Sequence, residues 1–422
     1  MSRSAELIER VSRIDRSLAA LAAERAEAVR EFAQVHVAEQ IETGEIGPER
    51  LEQSVVAQVA LACRVSPSEA RKRLHVARDL HEGLDRVREL FAAGELSEHK
   101  VAVIVAATAH LSRSERAWVD EQLAERGLER LGVGRLGDLA RKLAAEVAPE
   151  KFLERCREAR GGRRVTIRPA LDGMADLTAH LPVPEAVACF AALKKAVDEV
   201  FTAPDPVTRS RSQIMADTLV ERVTGQAVAT DVGFAVNVTV PVESLVDPVS
   251  PLPAEIPGYG PVPVWWITSG GGRKAWRRLV TKDGVVIGGD SRQRAFTGSL
   301  AAFIRAREGN RCSEPYCDAP VRHIDHIERY SEGGRTEFDN GRGLCEFHNY
   351  VRENPDWDVY RAGDVIVTTT PTGASYVADV GSATRKIRAP HRMRPSRSRA
   401  GPDGRRSVGR LSDYLVPDRS NV

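Results

Sequence analysis

The feature that most limits how this chain can fold is a set of four soft metal ligands in two pairs, Cys312-x4-Cys317 in RCSEPYCDAP and Cys345-x2-His348 in LCEFHN. Three thiolates and an imidazole are the tetrahedral set that zinc prefers. Cys345 and His348, three apart, share one face of a helical turn. With all four positions supplied by protein, such a zinc is closed to water and structural. It would pin the 27 residues between the pairs, which are too polar to fold by burial alone. RCSEPYCDAP offers no apolar context for buried free thiols. His323 competes with His348 for the fourth position. Six cysteines in 422 residues do not make a disulfide scaffold. Cys63, in VALAC, and Cys189, in AVACFAAL, lie in apolar text that predicts core positions, whereas Cys156 has charged neighbours.

Inside the pinned loop runs HIDHIERYSEGGRTEFDN, residues 323–340. Hydrolysis of a phosphodiester needs a base to activate water and a hard cation to stabilise charge on the scissile phosphate. Asp325 and His326 are adjacent, and on a strand neighbours face opposite sides, so they reach one site only where the strand ends or bends. Gly333-Gly334 supplies a loop for such a bend. Asn340 and Asn349 follow. Carboxylate and amide oxygens suit magnesium or manganese, while the thiolates suit zinc.

Cys312-x4-Cys317, Asp325-His326-Ile327, Gly333-Gly334-x-Thr336, Asn340 and Leu344-Cys345-x2-His348-Asn349 together resemble the HNH endonuclease signature, a zinc-bearing beta-beta-alpha-metal module. The resemblance covers residues 305–353. It implies that His326 is the general base, that Asp325 is a ligand of the catalytic divalent cation, Mg or Mn, and that Asn340 holds the active-site loop. Asn349 stands at the terminal position, where many members carry histidine, and a side-chain oxygen there can still bind magnesium. A proline common after the Asp-His pair is replaced by Glu328-Arg329-Tyr330. More broadly, the helical first half, AEIPGYGPVPV, the WRRLVT segment and the C-terminal module resemble an actinobacterial family of repetitive-element proteins with an N-terminal domain of unknown function, of the type numbered 222. WWITSGGG is atypical of that family.

The rest of the chain predicts an α+β protein in several parts. Residues 1–160 read as helical: Ser66 before Pro67 and Glu69, and Ser97 in GELSEHK, are helix starts. Leu7, Val11, Ile14, Leu18 and Leu21 paint one stripe with 4-3-4-3 spacing, which fits either an antiparallel pair within one domain or a homodimer seam. ALACRVSPSEARKRL has a helix-turn-helix layout with Arg71, Lys72 and Arg73 early in its second helix, though ordinary helix packing gives the same text more often. Residues 161–247 form a mixed α/β region, with strands in RRVTIRPA, MADLTAHLP and GFAVNVTVPV around the helix PEAVACFAALKKAVDEVF. Residues 248–304 hold a connector with six prolines between Pro248 and Pro263, then a basic segment. There Trp265, Trp266 and Trp276 interleave with Arg273, Lys274, Arg277 and Arg278, a composition that suits nucleic acid as well as a loop and strand edge. After the module at 305–354, residues 355–380 alternate like a β-hairpin turning at Ala362-Gly363-Asp364.

Charge separates the function classes. The net formal charge is +2, but Arg385 to Arg410 carry ten Lys/Arg against Asp403. This basic tail, within a disordered 381–422, suits a polyanion and is equally a solvated charge run. The module itself is acidic, eight Arg against ten Asp/Glu over 305–353, so its affinity for DNA would come from elsewhere in the chain. His323 is a candidate phosphate contact. No apolar run reaches membrane-spanning length, and the first residues lack a signal-peptide core, so a cytoplasmic protein without membrane partners is expected. The leading expectation is a metal-dependent DNA endonuclease. The alternatives are a zinc-stabilised nucleic-acid or protein-binding module that does not cut, and a helical interaction protein acting through its N-terminal half.

Overall fold

The computed structural model describes residues 2–43, 47–202, 208–226, 240, 253–264, 281–282, 285–286 and 295–380. These residues form an α+β protein with its helices first and small sheets later. The basic-aromatic segment with Trp265, Trp266, Arg273, Lys274, Trp276, Arg277 and Arg278 lies outside the described residues. So do nearly all of GFAVNVTVPV and the basic tail.

Eight helices open the chain: α1 (Arg3–Thr43), α2 (Pro48–Cys63), α3 (Pro67–Asp79), α4 (Asp85–Ala92), α5 (Glu98–Thr108), α6 (Arg113–Glu125), α7 (Val133–Val147) and α8 (Pro149–Ala159). Their starts are local chemistry. The Ser66 hydroxyl accepts the Glu69 N–H, with Pro67 in the first turn, and Ser97 accepts from Lys100 N. Ser112 and Glu115 close a reciprocal capping box at α6. Leu84, Val87, Phe91, Leu96, Val101, Ile104, Val119, Leu123 and Leu136 form the main core of this bundle. A second core joins Val29 and Ala33 of α1 to Val55, Val56 and Val59 of α2 and Leu74 of α3.

The hairpin of β1 (Arg164–Pro169) and β2 (Ala175–His180) follows, paired from Arg164 with His180 to Pro169 with Ala175. Then come α9 (Val183–Thr202) and α10 (Arg211–Thr224), in which Val197 and Ile214 are buried. Both strands are exposed throughout, as is most of α9. Cys189 is exposed rather than in a core, because no described element covers the face of α9 that carries it, and Cys63 is only half-buried. The proline connector is not simply extended either. Gly258 and Gly260, at φ +86° and +93°, let AEIPGYGPV fold into a hairpin of β3 (Ala254–Ile256) and β4 (Gly260–Val262). A two-residue ladder joins β5 (Thr281–Lys282) to β6 (Val285–Val286).

The C-terminal part is built from α11 (Gly298–Arg307), β7 (His323–His326), β8 (Gly341–Leu344) and α12 (Glu346–Val351). A sheet of β9 (Asp358–Ala362), β10 (Val365–Thr369) and β11 (Ser375–Asp379) follows. The expected hairpin over 355–380 therefore gains a third strand. TPTG at 370–373 closes a second turn, with Gly373 N bonded to Thr370 O at 2.8 Å.

This sheet packs on the ligand-bearing part through Ile327, Val359 and Ile366. The helical bundle also reaches it. Ala57 and Leu61 of α2 share a cluster with Val351 and Trp357, and the Thr372 hydroxyl donates to Gln58 Oε1 at 2.8 Å. The Arg71 guanidinium of α3 lies over the Phe347 ring, 5.7 Å from its centroid. The helix-turn-helix layout thus serves, at least at Arg71, to pack α3 beside α12. No described helix is long and apolar enough to cross a membrane.

Candidate metal centre

Cys312, Cys317, Cys345 and His348 converge in one buried cluster whose ligand atoms all lie within 4.8 Å of one another. Backbone bonds from both sides bring them together. Cys312 N bonds to Ala319 O at 2.8 Å, Cys317 N to Glu314 O at 3.2 Å, and both the amide and hydroxyl of Ser313 reach Gly343 O on β8. Tyr316, at φ 63°, makes the left-handed step that closes the first knuckle. Cys345 stands at the N-terminal cap of α12, where its sulfur accepts the His348 N–H, so one turn sets two ligands. His323 lies exposed on β7 and stays outside the cluster. The competition for the fourth position thus goes to His348.

The distances discriminate between thiol pairs and a metal site. Cys312 Sγ and Cys345 Sγ each lie 3.4 Å from His348 Nδ1, and Cys317 Sγ lies 3.9 Å from Cys345 Sγ. A tetrahedral zinc with bonds of about 2.3 Å to sulfur and about 2.0 Å to nitrogen spaces its ligands roughly 3.8 Å apart between sulfurs and roughly 3.5 Å from sulfur to nitrogen. A disulfide needs about 2.05 Å between sulfurs. The residues therefore fit a zinc-sized cation.

Charge agrees with that geometry. Hydrogen bonds from Cys312 and Cys317 hold the Cys345 thiol far below its ordinary range. Hydrogen bonding to Cys317 and Cys345, together with burial, pushes Cys312 up. Burial disfavours charge on His348, yet the Cys317 and Cys345 sulfurs push it up to about 10. A buried Cys345 thiolate favours a positive charge beside it, which a zinc ion held by the four side chains would supply.

β7 and β8 pair from His323 with Leu344 to His326 with Gly341. Asp325 opposes Arg342, and their side chains share a face with Arg352. His326 turns the other way, 4.4 Å from the Phe296 ring by centroids. Gly341 opposite it leaves room for that packing, since a Cβ there would lie 2.4 Å from Ile304 Cδ1. The adjacent pair thus divides between the two faces of the hairpin, with His326 the last residue of β7. Its Nε2 lies 3.0 Å from the Thr336 hydroxyl, which fixes the ring.

Asn340 braces the loop from within. Its Oδ1 accepts from Glu328 N at 2.9 Å, and its Nδ2 donates to Glu328 O and Arg335 O at 3.1 and 2.9 Å. Asn349, half-buried on α12, has a side-chain amide that makes no hydrogen bond among the described residues. Asp325 Oδ2 is buried within ion-pair distance of two arginines, 2.9 Å from Arg352 Nε and 3.9 Å from Arg342 Nε, and makes no aligned hydrogen bond with either. Its Oδ1 makes no bond among the described residues, and the side chain is 23% exposed. A hard oxygen ligand thus remains on the outer side of Asp325, the donor type that magnesium accepts.

Sequence reasoning missed the charged girders under the hairpin. Arg342 and Glu314 are almost fully buried and pair at 3.1 Å. Buried Arg307 of α11 donates to Phe338 O at 2.8 Å and to Gly341 O, tying α11 to the start of β8. Arg352 donates to Ile327 O. The signal available was arginine in otherwise apolar or glycine-rich text, as in NGRGL, where a solvated charge has no reason to alternate with buried positions.

No curated protein and no solved structure is detectably similar to this chain. A family model does match residues 14–243, more than half of the chain, spanning the helical bundle, the β1–β2 hairpin and both helices after it. The Cys/His centre lies wholly outside that match, which agrees with its separate local frame. The chain belongs to the family defined by this N-terminal region, described as the domain of unknown function DUF222.

Proposed function

We propose that the C-terminal part is an HNH-type, metal-dependent DNA endonuclease framed by a structural zinc at Cys312, Cys317, Cys345 and His348. The observation that carries this reading is the order of parts in space. A hairpin and a helix close over the Cys/His cluster, His326 ends the first strand under the Thr336 hydroxyl, and Asn340 pins the intervening loop.

In this reading His326 takes the proton of the attacking water, and Thr336 and Phe296 hold its ring in the orientation required. Asp325 Oδ1 and the Asn349 amide would hold a Mg or Mn ion, which supplies charge neutralisation at the scissile phosphate. Asn340 keeps the loop 328–335 from moving as substrate enters. Most phosphate contacts come from outside the acidic module, where Arg273, Lys274, Arg277, Arg278 and the basic tail supply positive charge. His323, exposed at the start of β7, is a further phosphate contact.

A second reading, a zinc-framed module that binds without cutting, is favoured by one observation: two guanidinium groups already share Asp325 Oδ2. They lower the attraction of that carboxylate for a cation. Plasmid nicking with Mg²⁺ or Mn²⁺ separates the two. Loss of the general base is expected to slow His326→Ala by roughly 100-fold or more. Equal nicking by wild type and variant sinks the role assigned to His326, whereas no nicking by either leaves the binding module as the function.

A further inference from the structure

The first five turns of α1 carry an apolar stripe that the bundle does not cover. Leu7, Val11, Ile14, Leu18 and Leu21 are 45%, 58%, 49%, 59% and 57% exposed, and Ile8 beside them is 65% exposed. The bundle takes a different face of the same helix, beginning at Ala19 and Ala22. Gly94 marks its edge, pressed so closely on the Arg16 backbone that a Cβ there would lie 2.3 Å from Arg16 O. Residues 3 to 15 therefore extend beyond their own core while presenting four large aliphatic side chains, and Leu18 and Leu21 continue the stripe to six.

We propose that this stripe is the seam of a parallel two-stranded coiled coil with a second copy of the chain. The 4-3-4-3 spacing places all five residues at the inner positions of a heptad repeat. The occupant follows from the flanks. In a parallel pair Arg10, at the last position of one heptad, faces Asp15 of the second copy, and the contact occurs twice by symmetry. Neither Arg10 nor Asp15 has an ion pair among the described residues. An antiparallel pairing through the same centre would set Leu21 against Ser4 and lose an apolar layer. A membrane surface fits worse, because Glu6, Glu9 and Asp15 alternate with Arg3, Arg10, Arg13 and Arg16 along the helix instead of leaving a basic face.

The seam ends where the fold requires it. The next inner position is Arg25, which is drawn to Glu98 of α5 at 2.6 Å, and beyond it α1 is committed to the bundle. Burying six aliphatic side chains on each copy removes on the order of 1,000 Å² in all, the lower end of the range for specific interfaces. The helix is already anchored by the bundle, so pairing does not have to bear the cost of nucleating it.

The test uses the full, zinc-loaded chain in sedimentation velocity at micromolar concentration. Wild type is expected to be a dimer, and Ile14→Glu/Leu18→Glu a monomer with unchanged helicity and metal content, the dissociation constant rising roughly 100-fold or more. In a Cys156→Ser/Cys189→Ser background, which removes two exposed thiols, Ile14→Cys is expected to form a disulfide-linked dimer on mild oxidation. A monomeric wild type, or a dimer that persists in Ile14→Glu/Leu18→Glu, overturns the proposal. A dimeric Ile14→Cys that does not cross-link overturns the parallel arrangement.

Discussion

The Arg352 Nε lies 2.9 Å from Asp325 Oδ2, and the Arg342 Nε approaches the same oxygen at 3.9 Å from across the hairpin. One strand residue therefore links β8 to the turn after α12. Arg342 also holds Glu314 at 3.1 Å, and both are buried. Removing one partner of such a group strands its opposite charge out of water. Arg342→Met is expected to destabilise the zinc-loaded protein by about 3 to 5 kcal/mol. Glu314→Gln/Arg342→Met should cost less than the two single changes added together. Urea unfolding of the four proteins checks this, and strictly additive losses would show that the two charges do not depend on each other.

Metal content is a separate prediction. After exhaustive dialysis the protein should retain about one zinc per chain, and Cys312→Ser/Cys345→Ser should retain none. Zinc loss is expected to melt the loop between the ligand pairs while the helical bundle keeps its circular dichroism. Retention should weaken as pH falls, because protons compete with the metal for the thiolates and His348. Elemental analysis of the variant finding full zinc would refute the assigned ligands.

Asn340→Ala removes three hydrogen bonds that tie the loop at Glu328 and Arg335. Gly334→Ala attacks the same place from the other side, since its Cβ would lie 2.0 Å from Glu328 O. Both changes are expected to lower nicking by about 100-fold through misplacement of the loop, with zinc retained. Unchanged activity in both would mean that the loop does not position the reaction.

Acid stability should report on the start of α6. The Lys151 side chain, then the Ser112 backbone N–H, hold Glu115 at about 2, below its ordinary 4.5. A carboxyl lowered on folding stabilises the folded state above its unfolded value, and that contribution fades as pH falls from 4.5 towards about 2. The stability difference between wild type and Glu115→Gln should therefore be full at neutral pH and shrink below about 4.5. A difference that stays constant from pH 7 to 4 would contradict it.

Much of the fold was legible where the determining chemistry is local. Ser66 and Ser97 cap the helices that their text announces, and β1 and β2 lie where alternation placed them. AVACFAAL was legible only as a helix. That Cys189 would be exposed depended on which face a neighbour covers, and apolar text alone does not contain that information. The third strand of the C-terminal sheet was hidden for a related reason: TPTG reads as a loop until β11 has somewhere to pair.

The sequence by itself determined the ligand types and their spacing, the helix starts, the apolar stripe of α1 and the acidity of the ligand-bearing part. Each is carried by a few residues close together in the chain. Only the tertiary structure decided that His348 and not His323 completes the cluster, that Asp325 and His326 face opposite sides of their hairpin, and that two arginines share the Asp325 carboxylate. It also decided that Gln58 of the helical bundle meets Thr372, more than 300 residues away in sequence. Burial and charge pairing depend on which surfaces meet when the whole chain packs, and contacts between distant residues leave no period or motif in a single sequence.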